Sequence, residues 1–349
     1  MKLAWLLAAV ILLQADVLDP ARNPLPNPTG TVITDWGKLP PGRVWGSSAG
    51  VDIGPDGHIW TYDRCGAIAL DAGGCDTSKV DPILKFDRAT GRLLTSFGAG
   101  LFVVPHGLHV DRDGNVWVTD SQGNKAGTKG HQVIKFSPDG KVLMRLGHAG
   151  MAGGKDMLTE PCDVITAPNG DIFVADGHSG QNPAAPPNTV ARIVKFTRDG
   201  KYIKEWGRLG SGPGEFRTPH ALAFDSRGRL FVADRGNHRI QIFDQDGNHL
   251  ETWHQFSRIS GLFIDRNDVL YAIDSESNTM RHPNWKTGVR IGTTREDRVT
   301  AFIPGHTTSA YEGAAGEGVA VDADGNVYAA EGPASRPVAG SGLTKYVRR

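Results

Sequence analysis

His106, His220 and Glu317 fall at one phase of an internal repeat, and all three are metal-ligand types. Read around six repeats, that first position holds Ala49, His106, Cys162, His220, Ser260 and Glu317. The metal-capable members occupy repeats two, four and six, which is threefold spacing about an axis. Three inward nitrogen or oxygen ligands with a fourth position open are what a catalytic zinc site needs, because a bound oxygen can then be polarised. Cys162 shares the phase but lies outside the alternate set, so burial as a small apolar residue is the favoured reading. A second position, just after the last residue of each repeat, holds Arg64, Ser121, Gly177, Arg235, Ser275 and Gly332. Arg64 and Arg235 stand opposite each other there. A guanidinium fork suits a carboxylate substrate, and equally a salt bridge to Asp63 or Asp234.

The repeat that sets this phase runs from a small or polar residue, through alternating apolar residues and an Asp/Asn-Gly-type turn, to a second apolar stretch ending in Asp or Glu. Its copies are 49–63, 106–120, 162–176, 220–234, 260–274 and 317–331, with starts 57, 56, 58, 40 and 57 residues apart. Each copy reads as two strands joined by a tight turn, and two more strands usually follow, as at 133–136 and 142–146. Six units of four strands predict an all-β, six-bladed β-propeller. Only one strand, 344–347, follows the sixth copy. The segment 31–39 resembles the outer strand at 201–209, so an N-terminal strand is expected to complete the C-terminal blade and close the ring. If first strands descend along the axis and second strands return, both variable positions share one face.

Composition agrees. The chain has 45 glycines and 21 prolines in 349 residues, with 38 basic and 38 acidic residues. A balanced charge without basic blocks argues against nucleic acid as a partner. Residues 1–15 read as a signal peptide, with Lys2 before an apolar run too short to span a bilayer and Ala15 at its end. The expected organisation is that leader, an extended segment over 16–30 and the propeller over 31–349. It implies a secreted or periplasmic protein with no integral membrane domain after cleavage. In that setting Cys65 and Cys75 can close a loop disulfide, leaving Cys162 free.

The stretch 206–243, with Trp206-Gly-Arg-Leu-Gly and Ala233-Asp-Arg-Gly-Asn-His238, resembles an NHL repeat. Val104-Pro-His-Gly-Leu108, followed by Asn115-Val-Trp-Val-Thr-Asp120, resembles the peptidyl-α-hydroxyglycine α-amidating lyases (peptidylamidoglycolate lyases). The resemblance implies a zinc lyase that cleaves the carbon–nitrogen bond of a C-terminal α-hydroxyglycine, releasing glyoxylate and a peptide amide. By that likeness His106 and His220 are zinc ligands, Arg64 and Arg235 are active-site arginines, and Val51 and Leu108 are backbone ligands of a structural calcium. Two positions depart from the family. Its third zinc ligand, a histidine, is Glu317 here, followed by Gly318 in place of a calcium-binding Asp. Its catalytic tyrosine is His178, to which the expected role of proton acceptor passes. The expected substrate is therefore a small molecule or a peptide C-terminus. Two other readings remain: a noncatalytic NHL module binding peptide, glycan or protein, and a lactonase-like propeller with a calcium site, for which only Glu317 fits.

Overall fold

The computed structural model describes residues 17–68, 74–154, 156–306, 315–337 and 339–349. The expected signal peptide at 1–15 lies outside them. Six four-stranded antiparallel sheets are arranged in a ring, a six-bladed β-propeller. The innermost strands are Val51–Ile53, Pro105–Val110, Pro161–Thr166, Pro219–Phe224, Gly261–Ile264 and Gly318–Val321, and consecutive ones pack against each other around the axis. Each is followed by its antiparallel partner: Ile59–Tyr62, Val116–Asp120, Ile172–Asp176, Leu230–Asp234, Val269–Asp274 and Val327–Ala330.

The ring closes as expected. Thr29–Ile33 pairs with the last strand, Leu343–Arg348, and forms the outer edge of blade six. Residues 35–39 of the predicted segment lie beyond that strand, where Trp36 packs edge-on against Tyr328 at 4.9 Å.

Turn chemistry explains the short connections at the far end of the blades. In blade two, Asp111 Oδ1 accepts from the backbone amides of Asp113 and Asn115, while Gly114 takes φ +82°. The left-handed conformation suits glycine, or an Asp that tolerates it. Blade five places Asp268 (φ +60°) at the equivalent turn.

Alternation along each strand buries one set of side chains between neighbouring blades. Trp60, Tyr62, Ile83 and Phe97 of blade one, for example, pack with Val116, Val118, Ile134 and Phe136 of blade two. Every blade thereby lends half of two interfaces, and the inner strand ends are held rigidly enough to aim side chains at the axis.

Candidate metal and substrate site

In blades two, three and four the position that opens the repeat is set by a local irregularity. Pro105 pairs with Asp120 and Leu108 with Val118, so the register shifts across His106; the same happens across Cys162 and His220. A bulge bends the strand and redirects the extra residue. The repeat's terminal Asp holds this bend from below. Asp120 accepts from the amides of Val103 and Val104, Asp176 from Thr159 and Glu160, and Asp234 from Arg217 and Thr218.

His106 and His220 are buried at the axis with ring centroids 4.8 Å apart. Each is oriented by the next blade. His106 Nδ1 lies 2.9 Å from the carbonyl of Cys162, and His220 Nδ1 lies 2.6 Å from that of Ser260. Those carbonyls can only accept, so each Nδ1 carries the proton and each Nε2 keeps its lone pair. His220 Nε2 is buried and has no hydrogen-bond partner among the described residues. Burial, together with Arg235 and neighbouring histidines, holds both rings well below the usual imidazole range, so they are neutral at pH 7.

The third member of the cluster is His178. Ligating atoms of His106, His178 and His220 all lie within 4.8 Å of one another, a group of three that can hold a metal ion. His178 arrives from a loop rather than a strand start. Gly177 turns the chain at φ +128°, and a Cβ there would sit 2.1 Å from the Val190 carbonyl oxygen, so the turn needs glycine. Glu160 secures it by accepting from the His178 amide at 2.9 Å. Burial, reinforced by Arg235, lowers the His178 imidazole to about 3. Its Nε2 lies 3.0 Å from the Arg235 guanidinium.

Glu317 is also buried, at the start of the blade-six inner strand, but it is not in this group of three. Its side chain lies against Gly332, where any Cβ would collide with its Cγ at 2.4 Å. Burial raises its carboxyl above the usual range despite the field of Arg235 and Arg64.

The two arginines face the same chamber, in unequal states. Arg64 is fully buried and donates to the Pro105 carbonyl, Ser47 Oγ and Tyr62 Oη at 3.1, 3.1 and 3.5 Å. Among the described residues it has no carboxylate partner; Asp63 pairs instead with Arg43 at 3.1 Å. Asp234 likewise pairs with Arg239, at 2.8 Å. Arg235 stands 3.8 Å from Glu276, and among the described residues its Nε and Nη1 have no hydrogen-bond partner. Buried guanidinium donors without partners are costly unless a ligand anion satisfies them.

Two contributors were not anticipated. Glu276 gathers Arg258 and Arg281 at 2.8 Å each as well as Arg235, and these cations hold its carboxyl well below the usual range despite its burial. Its place two residues after Asp274, at the same blade end as the arginines, was the available signal. Tyr62 donates to the His106 carbonyl at 2.5 Å and so fixes the backbone beside the ligand. Val51 and Leu108 line a narrow axial channel of about 50 Å3 below the histidines, together with Gly318. Cys65 and Cys75 are disulfide-bonded, with Cα atoms 5.3 Å apart, and Cys162 is a buried free thiol.

Comparison with known proteins bears on this arrangement. The family described as NHL repeat matches residues 216–243. Peptidylglycine alpha-amidating monooxygenase of Rattus norvegicus is 39% identical over 200 residues, covering 54% of this chain and 19% of the rat protein. A probable peptidyl-alpha-hydroxyglycine alpha-amidating lyase of Caenorhabditis elegans is 31% identical over 224 residues, 59% of this chain and 58% of the worm protein. The chain is a six-bladed β-propeller with one stretch that matches the NHL repeat, and over about half its length it is similar to the amidating enzymes. The match spans about a fifth of the rat protein and under two thirds of the worm one. A streptogramin B lyase structure superposes with a TM-score of 0.55 at 15% identity, covering 91% of this chain and 98% of that one, a likeness of fold. No helix among the described residues of this propeller is long and apolar enough to cross a membrane.

Proposed function

We propose that the chamber is the active site of a metal-dependent lyase that cleaves the carbon–nitrogen bond of a peptidyl α-hydroxyglycine, or of a closely related small α-hydroxy carboxylate. The observation that carries this reading is the convergence of three neutral histidines with two buried arginines, of which Arg235 keeps guanidinium donors without hydrogen-bond partners among the described residues. The similarity to amidating lyases supports the same chemistry.

The donor set fits zinc. Two imidazoles present Nε2 with tautomers locked by backbone carbonyls, and one of those nitrogens is buried without a partner. When bound, zinc would act as a Lewis acid toward the substrate's hydroxyl oxygen. Val51 and Leu108 are proposed to offer backbone carbonyls to a calcium in the axial channel.

The residues then divide the work. Arg64 and Arg235 hold the substrate carboxylate in charge-assisted hydrogen bonds. The positions favour His178 as the third ligand and Glu317 as the proton carrier, the reverse of the roles expected from the family. His178, lowered to about 3, is a weak base at pH 7 but a competent neutral ligand. Glu317, raised by burial, takes the proton of the substrate hydroxyl and returns it to the departing amide nitrogen. Atoms balance: the hydroxyl carbon becomes the aldehyde of glyoxylate, and the nitrogen leaves as a primary amide.

The proposed substrate is thus a small molecule or a peptide C-terminus, and the balanced charge argues against nucleic acid as a partner. The Cys65–Cys75 disulfide supports export to an oxidising compartment. The reading is tested by metal analysis of the purified protein and by assaying glyoxylate release from benzoyl-α-hydroxyglycine. Stoichiometric zinc and chelator-sensitive glyoxylate are expected, and His106→Ala with His220→Ala should lose both. Protein without bound metal, or with metal content unchanged in those variants, refutes the site. Metal without glyoxylate release keeps the site and discards the substrate.

A further inference from the structure

At the other ends of the innermost strands the axis widens into a second cavity of about 590 Å3, lined by all six blades. That volume is within the range of small-molecule sites. Much of its wall is apolar, from residues such as Val110, Val164, Leu222 and Ile264. Within it, side chains from blades one, two and three form a continuous hydrogen-bonded line. Asp52 Oδ2 is 3.1 Å from His109 Nδ1, and His109 Nε2 is 3.0 Å from Thr166 Oγ1.

The line has a direction. Asp52 is anchored by the amides of Ile53 on Oδ1 and Val110 on Oδ2, both at 2.8 Å. Its carboxylate accepts, so His109 carries a proton on Nδ1, and in the neutral ring the bare Nε2 accepts from the Thr166 hydroxyl. A hydroxyl donating to an imidazole that is oriented by a carboxylate is the nucleophile–base–orienter arrangement of acyl-transfer enzymes. All three residues are half-buried and line the cavity, so a ligand can reach them. Arg112 and Arg266 line the same cavity and give its wall positive charge.

We propose that Asp52, His109 and Thr166 form a second active site, an acyl-transfer centre for small esters with an apolar acyl chain. It is independent of the histidine chamber. Thr166 Oγ1 bonds to the acyl carbon as its proton moves to His109 Nε2, and the ester carbon–oxygen bond breaks. The alcohol leaves with that proton. Water then attacks the acyl-threonine, giving one proton through His109 back to Thr166 and releasing the acid. Asp52 touches neither substrate nor reacting atom and is a positioning residue.

The test uses the whole purified protein with para-nitrophenyl butyrate, following nitrophenolate release and mapping acylated peptides by mass spectrometry. One butyryl group on Thr166 is expected. Turnover should fall at least about 100-fold in Thr166→Val and His109→Gln, and remain within about tenfold in Thr166→Ser. Asp52→Asn should lower kcat while leaving KM nearly unchanged. Wild-type protein that carries butyryl only on lysines, or none, overturns the proposal even if a variant misfolds. So does a folded Thr166→Val variant with unchanged turnover; the line would then be an inter-blade clamp.

Discussion

His178 and Glu317 present opposite solutions to the same problem of burial. Removing each group from water disfavours its charged form, so the imidazole stays neutral and the carboxyl is biased toward keeping its proton. A neutral imidazole suits a metal; a carboxyl shifted upward suits proton transfer near neutral pH. The two roles separate under mutation. His178→Ala should weaken zinc binding by more than about 100-fold, beyond the effect of losing a group that only orients a ligand. Glu317→Gln should retain zinc and lose about 100-fold or more in kcat for glyoxylate release. Metal titration of both variants, paired with kinetics, decides the matter, and zinc lost from Glu317→Gln but kept in His178→Ala would restore the family's ligand phase. Arg64 gives an independent check on the substrate carboxylate. Because it forms no salt bridge among the described residues, its replacement by Gln should raise KM by about tenfold or more. A KM unchanged by that replacement would remove Arg64 from substrate binding.

At the level of the strands, the repeat's terminal acid is a structural device, and its one departure has a thermodynamic signature. Blade six carries Glu331 where the other blades carry Asp. Burial outweighs the help of Ser335, Thr344 and Arg336 and raises the Glu331 carboxyl to about 7. The usual value is 4.5, so between roughly pH 5 and 7 the unfolded chain has released this proton and the folded chain has kept it. Unfolding then releases a proton, and stability must fall as pH rises through that window, by up to about 1.4 kcal/mol per pH unit from this group. Denaturant unfolding at pH 5 and pH 7 should show a smaller decline in Glu331→Gln than in the native chain; equal declines would contradict the shift. The blades themselves were legible because alternation of apolar residues and Asp/Asn-Gly turns is a local signal. So were the positions of His106, His220, Arg64 and Arg235, which follow from phase. His178 was legible only as a departure from a motif. It approaches the histidines through a loop whose course depends on Gly177, Glu160 and Arg235, and no period in the chain reports such contacts. The same holds for Glu276, whose three arginines come from blades four and five and the loops beside them.

The whole ring depends on a segment that reaches it from outside. Between residues 19 and 33 the chain crosses blade five before entering blade six. The amide of Phe302, in the outer strand of blade five, donates to the Pro26 carbonyl at 3.0 Å, and Thr29–Ile33 then completes blade six. The segment begins at a buried ion pair. Asp19 Oδ1 lies 2.8 Å from Arg290 Nη2, both side chains are inaccessible to solvent, and Asp19 Oδ2 accepts from the Lys286 amide at 2.9 Å. Arg290 also lies over the rings of Trp285 and Phe302. Such a pair contributes little compared with a well-packed apolar replacement, but losing one member strands the other charge. Asp274, 3.8 Å away, is already taken up by Ser257 and Ser277, so it compensates Arg290 only in part. Asp19→Ala should therefore destabilise the propeller by about 3 kcal/mol, and Arg290→Met combined with Asp19→Leu by much less, because no charge is left behind. Chemical denaturation of the two variants checks the order. If Asp19→Ala costs under about 1 kcal/mol, the segment is a loosely held strap and ring closure rests on the Thr29–Ile33 strand alone. If the double variant is the worse of the two, the pair acts by fixing the path of the segment toward blade six, and glyoxylate release in that variant should fall with the loss of the closed ring.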